Sequence, residues 1–453
     1  MAGIGFQLKR LLEPRTFLSA LQAYGFAGLI AAGPWVLSVA ATTLVGLLAG
    51  GSREPQVVQF LVAVTWLMAA SLIFTGPLQL LFSRFAADRA WEKRAGEIAP
   101  NLLGALLCTT VAAALAAGAA LALLFGAQGL RCKVLLFVSF VVLCDLWLLV
   151  VVLSGLKRYA AVLLTFCGGY GLTIACALGL RRFGLDGLLA SFALGQSALL
   201  FPLLGLALRE YPPRRMLAFD FIRQGRRELA LCGLVWNVAI WADKLVFWLS
   251  PQTGEAALGP LRSSLVYDLP IFLAYLSVIP GSAAFLLRVE TDFAQDHHAF
   301  YEAIRTGASL QRIEELRDGM TLQLRSALYD LLRIQLAAGL LFRAAGPWLL
   351  PALGVSPLYL PLFGVDLVGA GLQVLLLGVL NALFYFDRRS AALAVCALFA
   401  VANGGLSLAT VLLGPQLYGF GAAVAAGLSI ALGLGLLSRT LGKLEYETYM
   451  LQA

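Results

Sequence analysis

Charge is scarce in this chain. Only 13% of its 453 residues are Asp, Glu, Lys or Arg, while 60% are hydrophobic and the mean hydropathy is +0.86. A soluble domain is about half apolar and a quarter charged. A soluble fold of this length has no way to hide so much apolar surface, which leaves lipid as the solvent for most of the chain. Histidine is nearly absent: His297 and His298 are the only two. As neighbours on a helix they point about 100° apart and make a poor chelate. Neither a metal-carboxylate cluster nor a Ser-His-Asp arrangement is present, so no metal, cofactor or catalytic residue is expected and the chain does not read as an enzyme. The Walker A pattern G-x-x-x-x-G-K-S/T is also missing, so the chain does not power itself with ATP. The seven cysteines, Cys108, Cys132, Cys144, Cys167, Cys176, Cys232 and Cys396, form no C-x-x-C pair or metal spacing and read as small buried hydrophobes. A net charge of +8 could suggest nucleic acid. No basic, aromatic-interleaved soluble module exists to carry such binding, so none is expected. No cleavable signal peptide is apparent.

What the chain does have is long apolar runs. They lie at 17–50, 57–82, 101–126, 133–154, 160–180, 187–208, 229–250, 263–286, 327–350, 358–386, 391–413 and 418–438. Each is long enough to cross a hydrocarbon core that needs about 20 helical residues. In lipid, such runs satisfy their backbone groups as helices. The expected fold is an all-α polytopic membrane protein with twelve transmembrane helices. With the N-terminus inside, 24 of the 33 Lys and Arg fall in inner segments, 6 in outer ones and 3 within helices. That bias predicts cytoplasmic N- and C-termini. The basic stretch 209–228, with Pro212-Pro213, separates six helices from six. The expected organisation is a lobe over 1–208 opened by a short interfacial helix, a cytoplasmic linker over 209–228, and a second lobe over 229–453. Two six-helix lobes are a common transporter layout. The second lobe includes the cytoplasmic loop 287–326, whose Leu310, Ile313, Leu316 and Met320 have helical spacing and suggest an amphipathic hairpin.

Two kinds of feature stand out inside the runs. The first is helix-breaking sequence: Gly33-Pro34-Trp35 in the first run, Gly76-Pro77 in the second, and Pro270 and Ile279-Pro280-Gly281 in the eighth. Each proline removes a helical hydrogen bond. Gly33, Pro34, Pro270 and Pro280 are candidate gating bends, although proline also merely kinks membrane helices. The second is charge: Asp145 in the fourth run, Asp243 and Lys244 in the seventh, Asp268 in the eighth, Arg333 and Arg343 in the ninth, and Asp366 in the tenth. A charge at the centre of a membrane helix costs about 2.5–3.5 kcal/mol on insertion scales, so such residues face a cavity or pair with each other. Asp243, Lys244, Asp268, Arg343 and Asp366 all fall in the outer half of the second lobe and suggest one charged vestibule. Snorkelling is the plainer alternative for Lys244 and Arg343. Asn237, Trp241, Lys244 and Trp248 share one helical face. An amide, a cation and two indoles on one stripe suit a carbohydrate path, while an interfacial aromatic belt explains Trp248 equally well.

Several strings bear a family resemblance. Ala2-Gly3-Ile4-Gly5-Phe6 and Gln22-Ala23-Tyr24-Gly25 through Gly33-Pro34-Trp35 resemble the start of the Pel exopolysaccharide transporter family, PelG. Ile240-Trp241-Ala242-Asp243-Lys244 with Phe247-Trp248 is similar, as are Tyr267-Asp268-Leu269-Pro270 and Arg288-Val289-Glu290-Thr291-Asp292-Phe293. The resemblance implies membership of the multidrug/oligosaccharidyl-lipid/polysaccharide flippase superfamily, with two lobes around a central cavity. It implies export of Pel, a cationic, N-acetylgalactosamine-rich polysaccharide of biofilm matrix. It also implies a bacterial inner-membrane synthase complex containing a cytoplasmic glycosyltransferase, a cyclic-di-GMP receptor and another membrane subunit. It assigns no transport residue. The alternatives are an ion-coupled small-solute carrier and a non-transporting membrane scaffold for the glycosyltransferase.

Overall fold

The structure, a computed structural model, describes residues 37–39, 41–46, 48, 54–153, 159–213, 215–224, 226–444 and 446. Gly33, Pro34 and Trp35 lie outside the described residues, as do both ends of the chain.

Apolar sequence becomes helix almost throughout. The helices are α1 (Pro55–Trp91), α2 (Ile98–Leu124), α3 (Leu130–Leu153), α4 (Tyr159–Leu180), α5 (Gly184–Glu210), the short α6 (Asp220–Gln224) and α7 (Arg227–Leu249). After a hairpin come α8 (Leu265–Leu276), α9 (Val278–Arg288), α10 (Ala294–Arg305), α11 (Leu310–Ala352), α12 (Leu360–Tyr385), α13 (Arg389–Leu413) and α14 (Phe420–Gly442). α1 opens on Pro55, at a position where the missing N–H has no helical partner to lose. α11 opens on Ser309, whose hydroxyl accepts from the Arg312 amide.

Nine stretches among the described residues are long and apolar enough to cross a membrane. One of them, Ala161–Glu210, holds two of the sequence runs, α4 and α5, joined by the turn Arg181–Phe183. The 43-residue α11 and the first run are not among the nine. Side chains such as Leu123 (82% exposed), Val401 (76%) and Leu164 (72%) project outward from these helices, which only acyl chains would tolerate in such number. The protein is therefore a multi-pass membrane protein.

The described residues fall into two compact units, residues 33–241 with 248–264, and residues 242–247 with 265–453. In the first, α3 packs on α1, α2 and α5, and α4 lies along α5. Phe60, Leu143, Leu148, Phe192 and Leu199 fill its centre. Residues 218–221 are held to this unit through α2. The Ala218 amide donates to Pro100 O at 3.0 Å, the Phe221 amide to Asn101 Oδ1 at 3.2 Å, and Asn101 Nδ2 to Asp220 Oδ2 at 3.3 Å. In the second unit, α14 packs on α12 and α13, and α11 on α9, α10 and α12. Phe363 and Leu350 sit in one of its cores, and Phe247 and Tyr267 in another.

Two local features depart from the sequence expectation. The fold is not wholly α: β1 (Glu255–Leu258) and β2 (Leu261–Ser263) form an antiparallel hairpin. Gly259 at φ +56° followed by Pro260 has the sign pattern of a type II′ turn, which matches the twist of paired strands. The run 263–286 is also two helices rather than one. Pro280 would clash with the carbonyl of Leu276, and α8 ends at that residue. Pro280 then sits in the first turn of α9, where it costs little. The loop 287–326 forms the expected helical hairpin, with α10 packed on the early part of α11 after a π turn over Val289–Phe293.

Candidate functional site

Three side chains of the second unit donate to Asp243. Lys244 Nζ donates to Asp243 Oδ1 at 3.1 Å and Oδ2 at 3.0 Å, and to Tyr275 Oη at 3.0 Å. Adjacent residues on a helix do not normally face each other. The four-carbon stem of Lys244 folds the ammonium back, and both residues are only 3% exposed in their side chains. Tyr267 Oη of α8 donates to Asp243 Oδ2 at 2.7 Å, and Asn403 Nδ2 of α13 donates to Oδ1 at 3.2 Å. Asp243 is thus fully supplied with donors, as a buried charge must be. Tyr275 Oη in turn donates to Gln373 Oε1 of α12 at 2.7 Å. Phe247 stacks on Tyr267 with centroids 3.8 Å apart and an interplanar angle of 3°, which fixes the donor ring.

Asp366 of α12 borders the same cluster. Asp243, Tyr267, Tyr275, Asp366, Gln373 and Asn403 all line one small cavity. Asp366 is 3% exposed, and its Oδ2 has no hydrogen-bond partner among the described residues. A side chain at Gly419 would come within 2.8 Å of Asp366 Oδ1, so the glycine is what leaves room for the carboxylate.

Asp268 and Arg343 are not in this cluster. Asp268 is half-buried in the first turn of α8, one residue from Tyr267 on a different face. Arg343 is exposed, and its guanidinium lies over Gly364, where an added Cβ would be 3.2 Å from Nε. Pro270 is buried in the second turn of α8 without interrupting it.

In the first unit, Asp145 of α3 is buried and accepts from Thr110 Oγ1 of α2 at 2.7 Å. Its Oδ1 has no partner among the described residues. Nearby on α3, Trp147 Nε1 donates to Ser71 Oγ of α1 at 2.9 Å, which extends a polar seam between these helices. Asn237 of α7 is buried and donates to Gly233 O at 2.9 Å, where α7 crosses α1. Trp241 and Trp248 lie 6.0 Å apart, and Trp248 packs on Trp66 at 4.9 Å. Trp248 is 1% exposed, so its ring is packed and presents no open face. The stripe read from the sequence is therefore divided: Asn237, Trp241 and Trp248 belong to the first unit and Lys244 to the second.

Tyr267, Tyr275, Gln373 and Asn403 complete the cluster although no sequence argument singled them out. The signal available was weak. Asn403 is an amide in an apolar run with Ser407 one turn on, and Ser407 Oγ donates to it at 3.2 Å.

The likeness to known proteins is extensive in fold and low in sequence. One similar structure is an outward-facing multidrug resistance MATE family transporter of the MOP superfamily, with TM-score 0.64, 14% identity, and coverage of 93% of this chain and 96% of that one. An inward-facing MATE family transporter gives TM-score 0.62 and 15% identity over 93% and 95% of the two chains. A MOP superfamily transporter from Pyrococcus furiosus, described by the reverse polarity of its binding pocket, gives TM-score 0.59 and 15% identity over 94% and 96%. Curated proteins provide no match. Residues 1–449 match the family described as PelG, "Putative exopolysaccharide Exporter (EPS-E)". A match over nearly the whole length, on a transporter fold, places the chain in the PelG exopolysaccharide exporter family.

Proposed function

We propose that this chain exports the cationic, N-acetylgalactosamine-rich Pel exopolysaccharide across the bacterial inner membrane. It would be the membrane-embedded exporter of a synthase complex that builds biofilm matrix, a transporter and not an enzyme. Its partners would be the cytoplasmic glycosyltransferase, a cyclic-di-GMP receptor and another membrane subunit. The observation that carries this reading is the family match over residues 1–449. We propose twelve spans in two six-helix lobes, joined by the linker 209–228, with both termini cytoplasmic. The nine candidate stretches, the excess of Lys and Arg in the proposed inner segments and the length of α11 support that count.

Within this reading Asp145, Asp243, Asp268 and Asp366 are acidic partners for amino-sugar or proton movement. Asn237, Trp241, Lys244 and Arg343 complete the path or its charge balance, and Gly33, Pro34, Pro270 and Pro280 are the bending points. Lacking a nucleotide motif, export draws on the membrane potential, worth about 2.3 kcal/mol per charge per 100 mV, or on polymer growth at the inner face.

Reconstituted vesicles containing the chain should move labelled, partly de-acetylated oligosaccharide, and Asp268→Asn should lower that flux about tenfold, a 1.4 kcal/mol effect. Full flux in Asp268→Asn would remove that residue from the path. Saturable uptake of a monomeric solute, with no movement of oligosaccharide, would replace the exporter by a carrier.

A further inference from the structure

We propose that the cavity in the second unit is a one-proton site on Asp366, with Lys244 acting as a tethered cation that keeps metal ions out. Its use in coupling rests on the transporter reading above, but its existence does not.

The cavity measures about 20 Å³, enough for one water-sized occupant. Two carboxylates line it, and they are in opposite situations. Asp243 is saturated by Lys244, Tyr267 and Asn403. The Lys244 ammonium sits at 3.0–3.1 Å from both of its oxygens, in the place a metal cation would take. Asp366, equally buried, has an oxygen with no partner. A hard metal cation needs a shell of several oxygens. Of the other lining oxygens, Gln373 Oε1 already accepts from Tyr275 and Asn403 Oδ1 from Ser407. One carboxylate oxygen cannot hold a metal ion, but it can hold a proton.

The polar groups that line the cavity with Asp366 are Asp243 from α7, Tyr267 and Tyr275 from α8, Gln373 from α12 itself and Asn403 from α13; Lys244 does not line it but stands behind two of them, bonded to Asp243 and Tyr275. Gly419 and, on α14, Ala422 and Ala426 line the same cavity and bring no charge. Arg343 lies over Gly364 and is not a lining residue. With Asp243 and Lys244 neutralising each other, protonated Asp366 leaves the cavity neutral. Loss of the proton leaves the cavity with a net charge of minus one. The cavity therefore switches between neutral and minus one on a single proton, and the lysine holds its place in both states.

The test uses the full-length chain purified in detergent without polymer. Infrared difference spectra between acidic and alkaline solution should show a carboxylic-acid band that is lost in Asp366→Asn, shifted in Asp366→Glu and kept in Asp145→Asn. Radiosodium should not bind the wild-type chain, and saturable binding should appear in Lys244→Met. If Lys244→Met fails to fold, Lys244→Arg, which keeps the charge, should still exclude sodium. A band that survives Asp366→Asn in folded protein overturns the proposal. Sodium bound by the wild-type chain and lost in Asp366→Asn overturns it as well, in favour of a metal site. No polymer is involved, so either failure leaves the exporter reading standing; absent polymer flux with the band present defeats only the exporter reading.

Discussion

Lys244 and Asp243 are neighbours in the chain, and the cost of burying both charges sets how far each depends on the other. Replacing one member of a buried pair leaves the other uncompensated, which costs about 3–5 kcal/mol, whereas replacing both with apolar groups is often neutral. Asp243→Asn should therefore lower the thermal midpoint sharply in detergent, and Asp243→Asn combined with Lys244→Met should recover most of the loss. Tyr267→Phe removes one neutral donor from the buried carboxylate and should cost about 1.5–3 kcal/mol. Equal midpoints for Asp243→Asn and wild type would show that the pair is not desolvated as the geometry indicates. The charges of this cluster were legible in the sequence because an ionised side chain in an apolar run is rare. Its neutral partners were not. Tyrosine and asparagine occur on any helix, and Asn403 lies 160 positions from the carboxylate it serves. Asp268 illustrates the complementary limit: topology gives the depth of a residue along a helix but not the direction in which it points.

At the scale of elements, the crossing of α1 and α7 depends on two glycines. A Cβ at Gly76 would stand 2.6 Å from Gly233 O, and one at Gly233 would overlap Gly76 O. Close backbone approach at small residues is the usual basis of helix packing in lipid. Gly233→Ala should destabilise by about 1–3 kcal/mol, the range for overpacking. Gly205→Ala, where nothing lies within 4 Å, should be neutral by the same melting assay. A second element-scale device is the docking of α10 through His297. That ring is enclosed by Phe293, Tyr301, Tyr385 and Phe386. Burial pushes its pKa down, opposed by the Tyr385 backbone and assisted by His298. The folded form thus resists a proton that the unfolded form accepts near its usual pKa of about 6.5. Docking is at full strength above that value and weakens as pH falls below it. Hydrogen exchange across Ala294–Arg305, corrected for intrinsic rates, should accelerate on acidification in wild type and stay flat in His297→Phe. The same response in both would exonerate the histidine. The hairpin of α10 and α11 was visible as helical spacing in a polar stretch. The β-hairpin was not, because strands of four and three residues around Gly259-Pro260 read only as a short loop.

For the whole molecule, the strongest constraint is the placement of cations relative to the bilayer. Short loops retained in the cytoplasm are enriched in Lys and Arg, and with twelve spans the alternation sorts 24 such residues to one side and 6 to the other. One span more or fewer would destroy that separation, so the charge count and the helix count test each other. The helices themselves were legible because lipid permits no other backbone solution for a long apolar run. α11 joins two kinds of sequence, since its 43 residues begin as one arm of the polar hairpin and continue into an apolar run. Met216 and Gln311 are exposed in the proposed inner segments, and Glu255 is exposed on the proposed outer hairpin. On a background with all seven cysteines replaced, Glu255→Cys should react with an impermeant maleimide in intact cells. Met216→Cys and Gln311→Cys should react only after the membrane is opened. Met216→Cys labelling from outside would put the six arginines of the 209–228 stretch on the wrong face. The proposed two-lobe arrangement, and with it the path on which Asp145 and Asp366 were placed, would then have to be abandoned, because the charge bias belongs to the twelve-span division that puts this stretch inside.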